Sequence, residues 1–201
     1  IEGVEMKDSF KHHMSRLRKR TEKLNYLELK ALRYTCENGT NLLLQLPEGH
    51  IWQGGAESAK DGTIFNANIP TEEVFSAPQW NGVTGTVVST KPLIYHGNEI
   101  NNFSFTFEDG KIVDYRAEIG YDILKELIET DEGSHYLGEV ALVDHYSPIS
   151  QSNMIYYETL FDENASCHLA IGAAYPTCLK DSDGLSEDEL KKRGLNHSLT
   201  H

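Results

Sequence analysis

The sequence predicts an α+β fold: an antiparallel, β-rich domain with helices on its flanks. Strand-compatible runs alternate with turn dipeptides over residues 31–46 and again over 83–117, so successive strands reverse direction. Helical signals are confined to residues 4–23, 119–130 and 186–193, which leaves the helices outside the strand-rich middle. At 201 residues the chain can bury one substantial core, and no internal repeat or low-complexity segment interrupts it.

Residues 4–23 lead into Leu24 and carry Phe10, Met14 and Leu17 at helical spacing with basic residues between them. This is an amphipathic helix whose basic side faces solvent or another domain. Residues 31–46 flank Asn38-Gly39, a dipeptide suited to a type I′ turn with positive φ at both positions, and so predict a β-hairpin. Residues 47–68 are rich in Gly and polar side chains and read as mostly loop, with Trp52 as the anchor. Residues 83–117 read as an antiparallel meander. Within it Phe103, Phe105 and Phe107 share one face, and His96 sits exposed in a turn. Residues 119–130 set Ile123, Leu124, Leu127 and Ile128 on one side of a second helix. Residues 138–143 are a short apolar strand of the kind normally buried. Tyr175-Pro176 ends the later apolar run, and Ser186-Glu187-Asp188-Glu189 is a capping box opening a short helix closed by Gly194.

The formal net charge is −13, and the basic residues crowd between Lys7 and Lys30, so nucleic acid is not an expected partner. The sequence contains no apolar run approaching ~18 residues and no basic and apolar signal segment, so no membrane association is expected. Cys36, Cys167 and Cys178 are odd in number and unpatterned, which points to a reducing, cytoplasmic compartment.

Chemistry concentrates in Phe161-Asp162-Glu163-Asn164-Ala165-Ser166-Cys167-His168-Leu169-Ala170-Ile171-Gly172. Glu163 and His168 could both bind a divalent metal. Five residues at ~100° each would separate them by about 140° on a helix, so Glu163 is expected before a helix or on a bend. The bland alternative is an acid near a helix N-terminus beside a core histidine. Glu139 is the one acid in an otherwise apolar strand, where it either meets a cation or faces water at the strand's mouth. Glu72 and Glu73 are adjacent, so only one can face a site. Cys167 beside His168 is not a nucleophile–base pair, because sequence neighbours point apart.

The stretch FDENASCHLAIGAAYP resembles the signature of the thermophilic-type metalloaminopeptidases, peptidase family M29, which includes aminopeptidases T and S. Leu46-Pro47-Glu48-Gly49-His50-Ile51-Trp52, residues 68–75, Ser89-Thr90-Lys91-Pro92-Leu93 and residues 138–143 agree with it in order and spacing. The resemblance implies a metal-dependent aminopeptidase acting on peptides. It implies two divalent ions (Zn, Co, Mn or Mg) held by Glu73, Glu139, Glu163, His168 and His201. Glu139 is taken as the ligand shared by both ions and as an aid to proton transfer, and Tyr175 as the donor to the tetrahedral intermediate. The family's further Asp lies just after the position of His201, where this sequence stops, and His197 is a rival ligand outside the family pattern. Residues 1–201 then correspond to the central and C-terminal catalytic domain of a protein about twice as long, without its N-terminal domain and C-terminal tail. Residues 1–30 form a helical lead-in to that domain, and the complete protein is expected to be a homodimer. Two other readings stay open: a metal-free hydrolase using Glu73 and Glu139 as paired carboxylates, and a folded metal-binding module without activity.

Overall fold

The computed structural model describes residues 6–59 and 61–200. Helix α1 (Met6–Leu27) lays Leu17 fully into the core, with Met14 and Leu24 beside it, while Phe10 stays exposed. Its last turns are bolted to the following loop: Asn25 Oδ1 accepts the Trp52 N–H at 2.8 Å and Asn25 Nδ2 donates to the Trp52 carbonyl at 3.0 Å. Trp52, at 1% exposure, is the anchor its sequence context predicts.

Strands β1 (Ala31–Thr35) and β2 (Asn41–Gln45) form the expected hairpin, but not through a type I′ turn. Gly39 has φ +101° and Asn38 has no positive φ. Instead the Gly39 N–H reaches the Cys36 carbonyl and Asn38 Oδ1 accepts the Thr40 N–H at 3.1 Å, a longer connection that the asparagine side chain caps. The segment expected to be mostly loop carries a small hairpin, β3 (Glu57–Ser58) with β4 (Ile64–Phe65).

Next come β5 (Glu73–Ser76), β6 (Val83–Val88), β7 (Leu93–Tyr95), β8 (Asn98–Ile100), β9 (Ser104–Glu108) and β10 (Lys111–Arg116). The five-stranded antiparallel sheet has the order β1-β2-β6-β9-β10. The meander is therefore interrupted: β7 and β8 pair only with each other, and β6 pairs directly with β9. His96 turns that outlying hairpin at φ +47° and is exposed. Phe107 is fully buried, and Phe103 and Phe105 pack on the same core. Helix α2 (Tyr121–Ile128) buries Leu124 and Ile128. Each such side chain, removed from water, contributes about 1.5–3 kcal/mol.

Strand β11 (Leu137–Val143) then enters a second sheet, followed by α3 (Pro148–Ser152), α4 (Thr159–Asp162), β12 (His168–Ile171) and α5 (Glu187–Lys192). The capping box at Ser186 and Glu189 is present with both reciprocal hydrogen bonds. Among the described residues no helix is long and apolar enough to cross a membrane.

The second sheet runs β12-β11-β5, all antiparallel. Its register explains how one strand serves two environments. Leu137 pairs with Ile171, but two residues later Glu139 pairs with Ala170, because Gly138 is an extra residue in β11. Partners across a ladder share a face, so the bulge turns Leu137 towards the core with Val140, Leu169 and Ile171. It turns Glu139 to the other face with Ala141 and His168. On that same face β5 contributes Glu73 and Phe75, opposite Val143 and Ala141.

Candidate metal centre

Glu73 opens β5, Glu139 follows the bulge of β11, and His168 opens β12. One donor atom from each lies within 4.8 Å of the others. His168 Nε2 is 3.0 Å from Glu73 Oε2 and 3.5 Å from Glu139 Oε1. Its other nitrogen, Nδ1, lies 3.1 Å from the Ser166 carbonyl. A carbonyl only accepts, so Nδ1 carries a proton and Nε2 is presented to the carboxylates, the orientation a metal-binding imidazole needs.

Burial works to lower the His168 pKa. The Glu139 and Glu73 carboxylates and the Ser166 carbonyl overcome it, and the imidazole is pushed up to about 11. The two carboxylates thus favour a positive charge between them. That balance is incomplete. Glu73 Oε2 and His168 Nε2 are both sealed from water, yet despite their 3.0 Å separation they are not aligned as a hydrogen bond. A cation bonded to both atoms would satisfy them, and a set of two carboxylates and one imidazole suits a divalent ion such as Zn, Co, Mn or Mg.

Glu163 follows the last residue of α4 and begins a single 3-10 turn, which places it on the connection between α4 and β12. It lies outside the close group of three, but its carboxyl is coupled to them. Burial, then the charges of Glu73 and Glu139, push it up to about 7 against the opposing pull of His168. Three acids facing one imidazole leave a negative excess that a divalent cation offsets.

Tyr175 borders the same acids. Burial and the charges of Glu139, Glu163 and Glu73 raise its hydroxyl above the ordinary phenol range, and its ring lies 5.9 Å from that of Phe75. At 44% exposure it is open to a molecule entering from solvent. Glu72 points elsewhere: its carboxylate is 3.9 Å from His13 Nε2 on α1. His197 is half-exposed with Nε2 3.1 Å from Glu187, away from the group of three. Cys167 Sγ sits against the Val143 main chain, 3.5 Å from its nitrogen. His201 lies outside the described residues. The segment before it is fastened, however: the Thr200 carbonyl accepts the Ala173 N–H at 2.8 Å, and Asn196 Nδ2 donates to the carbonyls of Gly133 and Gly172.

Sequence reasoning missed three participants. Ser166 contributes only its carbonyl, which leaves no trace in residue type. Phe75 follows Glu73 at the two-residue strand period and could have been read from it. Asn164 is a buried amide next to an acid, a signal that was present but unused.

The family model described as thermophilic metalloprotease (M29) matches residues 3–201. Aminopeptidase AmpS of Bacillus subtilis is 56% identical over 190 residues, covering 94% of this chain and 46% of that protein. Aminopeptidase T of Thermus thermophilus is 42% identical over 189 residues, again covering 94% of this chain and 46% of the relative. The solved structure of wild-type AmpT from Thermus thermophilus superposes with a TM-score of 0.90 at 41% identity, covering 96% of this chain and 47% of that one. The chain thus spans about half the length of the curated relatives it matches.

Proposed function

Because the chain belongs to the thermophilic metalloprotease family M29, we propose that it is the metal-bearing catalytic portion of a metal-dependent aminopeptidase, with residues 1–30 leading in from an N-terminal domain. The observation that carries this reading is the convergence of Glu73, Glu139 and His168 from three strands onto one point, where Glu73 Oε2 and His168 Nε2 are sealed from water. In the proposal these three would hold a divalent ion, and Glu163 and His201 would join Glu139 in holding a second. Ions bound there would supply a water acidic enough to be deprotonated near neutral pH and would polarise the scissile carbonyl.

The rest of the chemistry belongs to the chain's own groups. Glu139 would assist by taking the proton that the attacking water gives up and passing it to the departing amine as the C–N bond breaks. The carbonyl oxygen becomes an oxyanion in the tetrahedral intermediate, and the Tyr175 O–H donates to it, a contribution worth a few kcal/mol in the transition state. The acids around the site also favour the free ammonium that marks a peptide N-terminus, so peptides are the substrate class. The complete protein is further proposed to be a homodimer and to work in the cytoplasm, the latter in keeping with the three free thiols of this chain.

A metal-free hydrolase built on Glu73 and Glu139 is disfavoured by the imidazole wedged between them, where a glycosidic bond or water would have to sit. The test is hydrolysis of leucyl-p-nitroanilide by the complete protein before chelation, after it, and with zinc or cobalt restored. Activity that disappears and returns supports the proposal. Activity indifferent to chelation refutes it.

A further inference from the structure

We propose that Asn164 is a positioning residue for the metal centre, a strut that fixes the strand carrying Glu73 against the turn carrying Glu163. The inference rests on the reading of Glu73 and Glu163 as metal ligands. Asn164 directly follows Glu163 and is 1% exposed. Both ends of its amide are used. Oδ1 accepts the Glu72 N–H at 2.7 Å, across 92 residues of sequence, and Nδ2 donates to the Leu160 carbonyl at 2.8 Å.

The N–H that Asn164 grips on one side belongs to Glu72, the residue immediately before Glu73, and the turn it grips on the other leads into Glu163. Two carboxylates on unconnected elements repel, and their separation has to be set by something other than their own contacts. A short, buried side chain with one donor and one acceptor does this. Leucine would fill the space but leave the Glu72 N–H and the Leu160 carbonyl without this partner, and aspartate would keep the acceptor towards Glu72 while losing the donor towards Leu160. The amide therefore serves the two ligand-bearing segments at once without entering the metal's coordination itself.

The experiment measures zinc affinity of the complete protein by competition with a chromophoric chelator, together with visible absorption of the cobalt-loaded form, well below each variant's unfolding temperature. Asn164→Ala should weaken zinc binding about 10–100-fold and change the cobalt spectrum. Asn164→Asp keeps the bond to Glu72 but loses the one to Leu160, and should weaken zinc binding clearly less than Asn164→Ala while also lowering the unfolding temperature. If Asn164→Ala does not fold, Asn164→Ser, too short to reach Glu72, takes its place with the same expectation. Wild-type affinity and spectrum in the Ala or Ser variant, with only the unfolding temperature lowered, overturn the proposal, as does equal loss in Asn164→Asp. Glu73→Gln and His168→Ala run alongside. If they bind zinc normally, the metal-centre reading itself has failed. If they do not while Asn164→Ala does, only the strut is refuted.

Discussion

Replacing Gly138 by alanine should loosen the metal centre from behind. An added Cβ would lie 2.3 Å from the Ala173 carbonyl oxygen, 2.5 Å from that of Gly172 and 2.6 Å from the Ala173 carbonyl carbon. All three are main-chain atoms, so no rotamer change relieves the clash. Strand β11 and the turn at 172–173 would have to part by about 1 Å to reach ordinary contact. Overpacking costs about 1–3 kcal/mol, and with rigid neighbours the upper end applies. For a domain of this size, ~3 kcal/mol lowers the unfolding temperature by about 6–12 °C. Glu139 is the next residue, so the displacement reaches the metal donors, and zinc affinity should fall about tenfold or more. Thermal unfolding followed by circular dichroism on chelated protein measures the first effect and zinc titration the second. Gly97→Ala is the control: φ there is +77° but nothing lies within 4 Å, so only a backbone cost of about 1 kcal/mol is expected, with metal binding intact. Wild-type unfolding temperature and zinc affinity in Gly138→Ala would refute the claim that this close approach sets Glu139.

Further expectations concern individual side chains. Glu163→Ala or His168→Ala in the complete protein should abolish peptide hydrolysis and lower bound metal while circular dichroism stays native; normal turnover in either removes that residue from the centre. Tyr175→Phe should reduce kcat about 10²-fold or more with metal content unchanged, and metal loss in that variant would contradict a role confined to the oxyanion. Asp131 is held at about 2 because, against the desolvation that would raise it, its carboxylate accepts from the Leu199 N–H, the Ser198 and Ser134 hydroxyls and the Ser134 N–H. A carboxyl depressed on folding adds stability above its unfolded pKa and loses it as pH falls through the folded one. Asp131→Asn should therefore cost about 1–2 kcal/mol at pH 7 after allowance for solvent screening, with the difference from wild type fading between about pH 4 and pH 2. A difference constant over that window would show that the carboxylate's charge is not what holds the 198–200 segment.

The parts of the fold that were legible in the sequence are those set by local rules. The capping box at Ser186, the helix at 121–128 and the reversal at Asn38-Gly39 depend on neighbours in the chain, and each is present. The details that escaped depend on distant partners. The turn at Asn38 lengthens because its side chain caps Thr40, and the β7–β8 hairpin leaves the meander because β6 finds β9 directly. Period-two counting along β11 places Glu139 with Leu137, on the core side, and only the bulge at Gly138 reverses this. At the site, acid and imidazole chemistry marks Glu139, Glu163 and His168, and the family pattern separates Glu73 from Glu72. The Ser166 carbonyl that orients His168 was invisible, since every residue carries one.

The connectivity of the smaller sheet has a bearing on when during folding the site can exist. Strand β5 precedes every strand from β6 to β10, yet its ladder partner is β11, and β12 joins on the far side. Hairpin partners in the larger sheet can meet early, whereas β5 has to wait for a long loop to close, the kind of contact that slows folding. The donors from β5, β11 and β12 therefore come together late, and a metal ion has no preformed cage to bind in the nascent chain. In refolding followed by stopped flow, a cobalt absorption band should rise with the last protein phase. It would then act as a clock for completed tertiary structure, with metal capture following folding and not guiding it.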